Sequence, residues 1–400
     1  MTPEIKGFIL LSVLKIMVVI AVMNVGVMMV IWAERRVSAW KQMRLGPNRV
    51  GPFGLLQSLA DGIKNILKEE TLPGEANKLM FVLAPVFSFI PASLTIAVIP
   101  FAAPLPVTFD FTLPILGRFV HDGVMPMMIA NVPVGMLYII AMGSLGVYGI
   151  VLAGWASGSK YSMLGGLRAS AQMVSYEVAM GFSFVGVLML AGNVTLPEIV
   201  SRQQESIWFI GSLLLGFVFY FISNLAETNR LPFDLPETES ELVTGFHTEY
   251  SSMKFSMFFI AEYSHIITGS ALMATLFLGG WDIPFTTWDE GVPSVLKTLA
   301  TLGAFSLKTV FFIYCFIWIR WTLPRFRFDQ LMQLGWKVML PVLLVYILVM
   351  GASILALDRI GWYTGIKQGL ALLGINAVLV YIVFFLMDRG RLMQGRSKAG

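Results

Sequence analysis

Residues 225–250 read LAETNRLPFDLPETESELVTGFHTEY, a charged island between two long apolar runs at about 207–225 and 252–279. The island holds Glu227, Asp234, Glu237, Glu239, Glu241 and Glu249 against one basic residue, Arg230. Its flanks are long enough to cross a bilayer, so the island is a loop at a membrane surface and the chain a polytopic membrane protein. The bland reading of the island is a solvated acidic connector. Against it, self-repulsion among so many carboxylates raises some of their pKa values, a condition for taking up protons near neutrality. Pro232 and Pro236 stiffen the segment and disfavour helix just before each. Glu237 and Glu241 share one face if helix resumes after Pro236, whereas Glu239 points elsewhere.

Composition agrees with a membrane as solvent: of 400 residues, 56% are hydrophobic, with mean hydropathy +0.76. Outward from the island, nine apolar runs qualify as spans, at about 8–33, 80–103, 127–155, 170–191, 207–225, 252–279, 299–319, 338–357 and 366–387. The expected fold is therefore an all-α polytopic bundle of about nine transmembrane helices. Nineteen Lys and Arg fall in alternate loops and the tail, against six in the others. By the positive-inside rule the N-terminus lies outside, and the C-terminus and acidic island inside. The first run is too long for a signal h-region and lacks a cleavage site, so it reads as a retained span.

The first inner loop is long. From Leu55 to Glu70, Leu55, Leu56, Leu59, Ile63, Ile66 and Leu67 recur at helical spacing, with Asp61, Lys64, Asn65, Lys68 and Glu69 mainly on the other side. That pattern predicts an amphipathic helix lying in the interface, either a lid over something apolar or a simple anchor. Before it, Arg44 to Pro52 contains two Gly-Pro pairs and reads as a rigid turn; no phosphate-binding pattern follows. The outer stretch Pro104–Pro126 reads as an irregular cap. The inner loop Arg320–Lys337 is basic, either as topology signal or as counter-charge to the island.

Ionisable residues recur inside the spans: Glu177, with Gln172 ahead of it, in the fourth; Glu262 and His265 at i and i+3 in the sixth; Lys308 in the seventh. Each can be half of a buried pair that fixes packing. Three such spans beside the island point instead to a proton or ion path, because a charge near mid-bilayer costs about 2.5–3.5 kcal/mol and is usually functional. The lone Cys315 excludes an intrachain disulfide and an iron–sulfur site, and His121, His247 and His265 lack metal-ligand spacing. No metal or redox centre is expected in this chain.

Long strings carry a resemblance. WAERRVSAWKQMRLGPNRVGPFG (32–54), LQSLADGIKNILKEE (56–70), GWASGSKYSMLGGLRASAQMVSYE (154–177), ETNRLPFDLPETESELVTGFHTEYSS (227–252), AEYSH (261–265) and FLGGW (277–281) resemble the H subunit of bacterial NADH-quinone oxidoreductase, respiratory complex I. The resemblance spans about Trp32 to Trp336. It implies the membrane heel of the proton-translocating NADH:quinone reductase in the bacterial inner membrane, where a narrow chamber admits quinone as substrate. It further implies that NADH, FMN and iron–sulfur clusters belong to partner subunits, and that this chain binds no cofactor itself. The implied partners are the peripheral-arm quinone-site subunits, the antiporter-like membrane subunits and lipids, with no nucleic acid.

By similarity, the first span, the interfacial helix and the sixth span line the chamber, with Trp32, Arg35, Arg36, Leu55 and Phe233 as contacts. The implied carboxylate chain is Glu70, Glu177, Glu227, Glu237, Glu239, Glu241 and Glu262, with Arg230 and Arg320 as counter-charges. Quinone reduction is expected to alter the island from Glu227 to Glu249 and to be relayed through Glu177 and Glu262 to remote pumps. One departure stands out: where some relatives carry a further carboxylate in the third span, this chain has Ser144. Residues 1–360 are expected to form an eight-helix core, and 361–400 an added helix and basic tail. Two alternatives are the membrane subunit of a quinone-independent energy-converting hydrogenase and a stand-alone secondary transporter. The hydrogenase relatives differ after Pro-Phe-Asp, and no internal repeat supports the transporter.

Overall fold

The computed structural model describes residues 2–113, 117–235, 238–284, 286–289, 291–362 and 365–388. Seven helical stretches among them are long and apolar enough to span a membrane: Pro3–Lys41, Lys78–Val98, Gly135–Ala156, Lys160–Ala191, Val295–Arg320, Phe328–Arg359 and Ile366–Met387. The chain is a multi-pass α-helical membrane protein. The other two expected spans are also helical: one contains the short apolar helix Leu214–Glu227, and the other is Ser252–Phe277, which carries Lys254, Glu262 and His265.

In chain order, α1 is Pro3–Lys41, α2 Gln57–Leu67, α3 Lys78–Leu94, α4 Gly135–Ala156 and α5 Lys160–Ala191. Then α6 is Leu196–Gln204, α7 Phe209–Ser212, α8 Leu214–Glu227, α9 Glu239–Leu242 and α10 Ser252–Phe277. Finally α11 is Val295–Arg320, α12 Phe328–Gln333, α13 Leu340–Arg359 and α14 Ile366–Asp388. A π-helical turn, Leu334–Met339, joins α12 to α13. The fifth expected span breaks at Leu213 (φ −130°, ψ 37°), which separates α7 from the 14-residue α8. The break releases the Ser212 carbonyl, and Asn376 Nδ2 of α14 donates to it at 2.6 Å. A backbone group left bare in an apolar surrounding costs several kcal/mol, so this bond fixes where α14 docks.

The outer stretch corrects the sequence reading. It is not irregular: strands Ala102–Leu113 (β1) and Gly117–Met127 (β2) form an antiparallel hairpin, with Phe109 opposite His121 and Phe111 opposite Phe119. Alternating Val107, Phe109 and Phe111 fit a pleated surface, and the prolines stay near the strand ends. A lone hairpin is marginal. Here Lys15 Nζ donates to the Pro126 carbonyl at 3.2 Å, and Thr301 Oγ1 accepts from the Ala103 N–H at 3.1 Å, which ties it to α1 and α11.

The bundle packs α3 on α4, α4 on α5, α5 on α8, and α10 between α3 and α11. Close approach of α3 and α4 depends on Gly149, where a Cβ would stand 2.6 Å from the Ser88 backbone nitrogen. Lys308 proves to cap the end of α10. Its Nζ donates to the carbonyls of Leu278, Gly280 and Asp282 at 2.6–3.0 Å, and it lies over the Trp208 ring.

Candidate functional site

An apolar groove of about 460 Å³ runs between α1, α2 and α10, lined by Val27, Ile31, Leu59, Ile63, Phe259 and Tyr263 among others. Its floor and lid follow from sequence periodicity, since Leu59, Ile63 and Ile66 share one face of α2 and all three line the groove. The helix is shorter than expected, Gln57–Leu67 rather than Leu55–Glu70, because a 3₁₀ turn at Pro52–Gly54 occupies the residues before it. In that turn Phe53 takes a left-handed backbone (φ 54°), and its carbonyl accepts from Trp32 Nε1 at 3.1 Å. Ser58 Oγ donates to the Met28 carbonyl at 2.9 Å, and Asn65 Nδ2 to Ser256 Oγ at 2.7 Å. The lid is therefore pinned to α1 on one side and α10 on the other. The charges lining the groove are Arg35 and Asp61, which form an ion pair.

Tyr263 connects the groove to a buried charge cluster. Its hydroxyl donates to Glu34 Oε2 at 2.7 Å, and its ring lies 4.4 Å from the Arg230 guanidinium carbon. Glu34 pairs with Arg320 and, at 3.7 Å, with Arg230, which also faces Glu262 at 3.4 Å. Two carboxylates and two guanidinium groups thus balance in a place that leaves Glu34 and Arg230 each 8% exposed. Such burial is tolerable only with partners on every side.

Beyond Glu262 lie two small cavities of about 30 Å³, each with room for about two waters. Glu227 and His265 line both; Glu262 lines one, and Tyr220, Asn224 and Thr268 line the other. Gly143 makes space for the Glu227 carboxylate, since a Cβ there would stand 3.1 Å from Oε1. Ser144, on the next position of α4, has one hydroxyl proton to share between two acceptors in reach, Glu177 and the Ile140 carbonyl. Glu177 sits near the middle of the 32-residue α5, not near its start, because that helix begins at Lys160 rather than at 170. Carboxylates joined through water-sized spaces can pass protons along hydrogen bonds.

The acidic loop is held down by cations and by one glutamine. Asp234 pairs with Arg325 at 2.9 Å, Glu241 with Arg168 at 2.6 Å, and Glu70 with Lys254 at the start of α10. Burial pushes the Asp234 carboxyl above the usual carboxylate range, and the nearby Arg325 only partly opposes this. Gln172 Nε2 shares its two N–H groups among three acceptors, the carbonyls of Ala226 and Phe233, each at 2.8 Å, and Asn229 Oδ1 at 3.1 Å. Phe233 is buried at 2% exposure between Tyr176 and Phe326 and does not line the groove. Arg35 lines it, whereas Trp32 and Arg36 stack beside the turn at Phe53, and Leu55 precedes the lid. Glu237 lies outside the described residues, as does the side chain of Glu239. Among the described residues no three His, Cys, Asp or Glu are grouped as metal ligands.

Sequence reasoning missed Glu34, which stands directly before Arg35 and Arg36 at the end of the first apolar run. The available signal was its phase: Met23, Val27, Val30, Glu34 and Ser38 recur at helical spacing and are the buried stripe of α1.

A family model described as NADH dehydrogenase matches residues 14–351, which ends before α14. The second of the NADH-quinone oxidoreductase H subunits of Koribacter versatilis is 48% identical over 347 residues, 86% of this chain and 96% of that protein. The first of the H subunits of Geobacter metallireducens is 51% identical over 321 residues, 80% of this chain and 89% of that one. The H subunit of Magnetococcus marinus is 47% identical over 347 residues, 87% of this chain and 92% of its own. With a family model covering most of the chain and relatives matched nearly end to end, this protein belongs to the H-subunit family of NADH-quinone oxidoreductase, as a membrane subunit of that enzyme.

Proposed function

We propose that the groove between α1, α2 and α10 admits quinone from the bilayer, and that its reduction is coupled to proton movement through the carboxylates behind it. The observation that carries this reading is the continuity from groove to charge. Tyr263 lines the groove and donates to Glu34, whose partner Arg230 faces Glu262, itself a wall of a cavity shared with Glu227. An apolar slot lined by Phe255, Phe259 and Ile63 suits an isoprenoid tail, and Arg35 and Asp61 suit an interfacial end.

Quinone reduction consumes two electrons and two protons, the electrons coming from cofactors held by other subunits. A negative charge appearing briefly near Tyr263 acts at short range in a poorly solvated place, where Coulomb forces are strong. Glu34, Arg230, Glu262 and Arg320 respond as one coupled group rather than singly. Rearrangement there changes the hold on Glu262, and the change passes through the two cavities to Glu227 and, by way of Ser144, to Glu177. In this chain a serine hydroxyl, which both donates and accepts, does the work of a third-span carboxylate. Glu70 and Glu241 act on the same face by fastening the loop and the lid. Trp32, Arg36 and Phe233 shape the surroundings of the groove.

The excess of Lys and Arg in alternate loops supports a periplasmic N-terminus and a cytoplasmic C-terminus in the bacterial inner membrane. The acidic loop and lid then face the cytoplasm, where the peripheral arm docks, while antiporter-like subunits adjoin within the bilayer. Residues 1–360 form the coupling core, and the C-terminal helix is an addition to it. The test is labelling of the assembled enzyme in native membranes with a photoreactive quinone analogue. Label on Asn24–Arg35, α2 and Phe255–Tyr263, abolished by excess quinone, is expected. Label confined to other helices would overturn the reading.

A further inference from the structure

Among the described residues, His265 is the only basic side chain in the walls of the two cavities beyond Glu262, and the path above gives it no task. It stands three residues after Glu262 on α10, so the two project to one side of that helix. His265 lines both cavities, and the one other titratable residue common to both is Glu227 of α8.

Two glycines of α4 bring the imidazole and that carboxylate together. A Cβ at Gly143 would stand 3.1 Å from Glu227 Oε1, and one at Gly146 would stand 3.7 Å from His265 Nε2. Helix positions three apart are about 5–6 Å from each other at Cβ. Glu227 and His265 therefore lie side by side against one face of α4, within reach of a short water bridge. Each cavity also has a reason to be wet. In the wall shared with Tyr220, Asn224 is 2% exposed and its Nδ2 has no hydrogen-bond partner among the described residues. In the wall shared with Glu262, Ser88 is 6% exposed and its Oγ is likewise without one. Buried polar groups are nearly always hydrogen-bonded, and each cavity has room for water to do it.

Charge points the same way. Glu262 has Arg230 at 3.4 Å, whereas neither cavity wall contributes a Lys or Arg to balance Glu227. The titratable groups around the imidazole are Glu262, Glu227 and Tyr220, and α3, α4 and α5 bring no charged side chain to either wall.

We infer that His265 and Glu227 share one proton through the water between them, which makes His265 the carrier that links Glu262 to Glu227 and to the cavity beyond. The pair exists as carboxylic acid with neutral imidazole, or as carboxylate with imidazolium. Both forms are neutral overall, so a proton moves without leaving a net charge in an apolar place. In the first step an O–H bond breaks at Glu262 and an N–H bond forms on His265 by way of bridging water. In the second that N–H bond breaks and an O–H bond forms on the Glu227 carboxylate. The imidazole ends neutral and no electrons move. The inference rests on the proton-path reading of the two cavities.

The test measures NADH:quinone turnover and the reduced-minus-oxidised infrared spectrum of the assembled enzyme, normalised on native gels. Expected for His265→Asn is a fall of about 10²-fold in turnover, the lower end of what a positioned proton carrier contributes. Combined with Glu227→Gln, it should fall no further than the worse single variant. The carboxyl band that Glu227→Gln removes from the spectrum should shift in His265→Asn, which the loss of a space-filling side chain would not cause. Gly146→Ala keeps the histidine but sets a methyl in ordinary contact with Nε2, where bridging water would stand. Its turnover should fall while assembly persists. Wild-type turnover in His265→Asn, losses that add with Glu227→Gln, or a carboxyl band that is absent or unmoved overturns the inference. If His265→Asn does not assemble, Gly146→Ala decides, and wild-type turnover in that variant refutes it. A slow Glu227→Gln enzyme beside a His265→Asn enzyme of ordinary speed sinks only the role of His265, whereas ordinary speed in both sinks the proton path as well.

Discussion

Removing Arg230 strikes the junction between groove and carboxylates. The guanidinium lies 3.7 Å from Glu34 and 3.4 Å from Glu262, and at an effective dielectric of ~20 these contacts amount to about 4.5 and about 5 kcal/mol of attraction. Desolvation of the ions opposes that by several kcal/mol each, which leaves about 3–5 kcal/mol as the cost of deleting one partner. Arg320 still neutralises Glu34 in an Arg230→Met enzyme, so Glu262 carries most of the loss. If turnover passes through a state with both carboxylates ionised, that cost becomes a fall of about 10²-fold to about 5 × 10³-fold in NADH:quinone turnover per assembled enzyme. Arg230→Lys keeps the charge but loses the planar fork that serves two carboxylates at once, and is expected to fall between the two. The assay is a double-mutant cycle with Glu262→Gln in inverted membrane vesicles, normalised to assembled enzyme on native gels. A coupling of at least about 1.5 kcal/mol between the two sites is expected. Losses that add to within about 0.5 kcal/mol, or an Arg230→Met enzyme of ordinary speed, would refute the reasoning.

Three further outcomes are expected. Gly149→Ala drives a Cβ into Ser88 Oγ and places it 2.6 Å from the Ser88 nitrogen. Overpacking against backbone costs about 1–3 kcal/mol or more, so assembled subunit on native gels should fall sharply, and Ser88→Ala should not restore it. Lys308→Met releases three carbonyls at the end of α10, a loss of about 1.5–3 kcal/mol if the charged hydrogen bonds act as usual. Its signature is less assembled enzyme with turnover per enzyme within about twofold of wild type, whereas a specific loss of proton output would return Lys308 to the path. Burial holds the His247 imidazole below its ordinary range, so its contribution to loop stability is present above about pH 6.5 and lost as pH falls through that value toward its depressed one. Amide exchange at Gly245–Tyr250, corrected for intrinsic rates, should accelerate from about pH 7.5 to about pH 6 in wild type and stay flat in His247→Asn.

The spans were legible because apolar length is a one-dimensional property, and all nine expected runs are helical. Their ends were not. The helix of Glu177 begins ten residues before the apolar run does, since Lys160 and Arg168 are tolerated at its interfacial end. The hairpin at Ala102–Met127 escaped because its prolines masked a short alternation of aromatic residues, and because α1 and α11, distant in sequence, hold it in place. The pattern that gave the amphipathic lid was clear, yet nothing local announces that Phe53 turns left-handed and trims the helix to Gln57. Within the site, Glu177, Glu227 and Glu262 announced themselves as charges amid apolar runs. Glu34 hid among neighbouring arginines, and the pairing of Asp234 with Arg325 depends on a contact between loops 91 residues apart. Ser144 looked like a gap in the carboxylate chain, and only three-dimensional packing brings its hydroxyl against Glu177.

The coupling of quinone chemistry to proton movement through this chain is tested most directly by the ratio of protons translocated to NADH oxidised. It should be measured in proteoliposomes containing fully assembled enzyme with Glu227→Gln and Glu262→Gln together. Loss of both cavity-lining carboxylates should depress turnover and proton output while assembly and quinone labelling of the groove persist. Wild-type turnover and a wild-type ratio in that assembled double variant would contradict a proton path through Glu262 and Glu227.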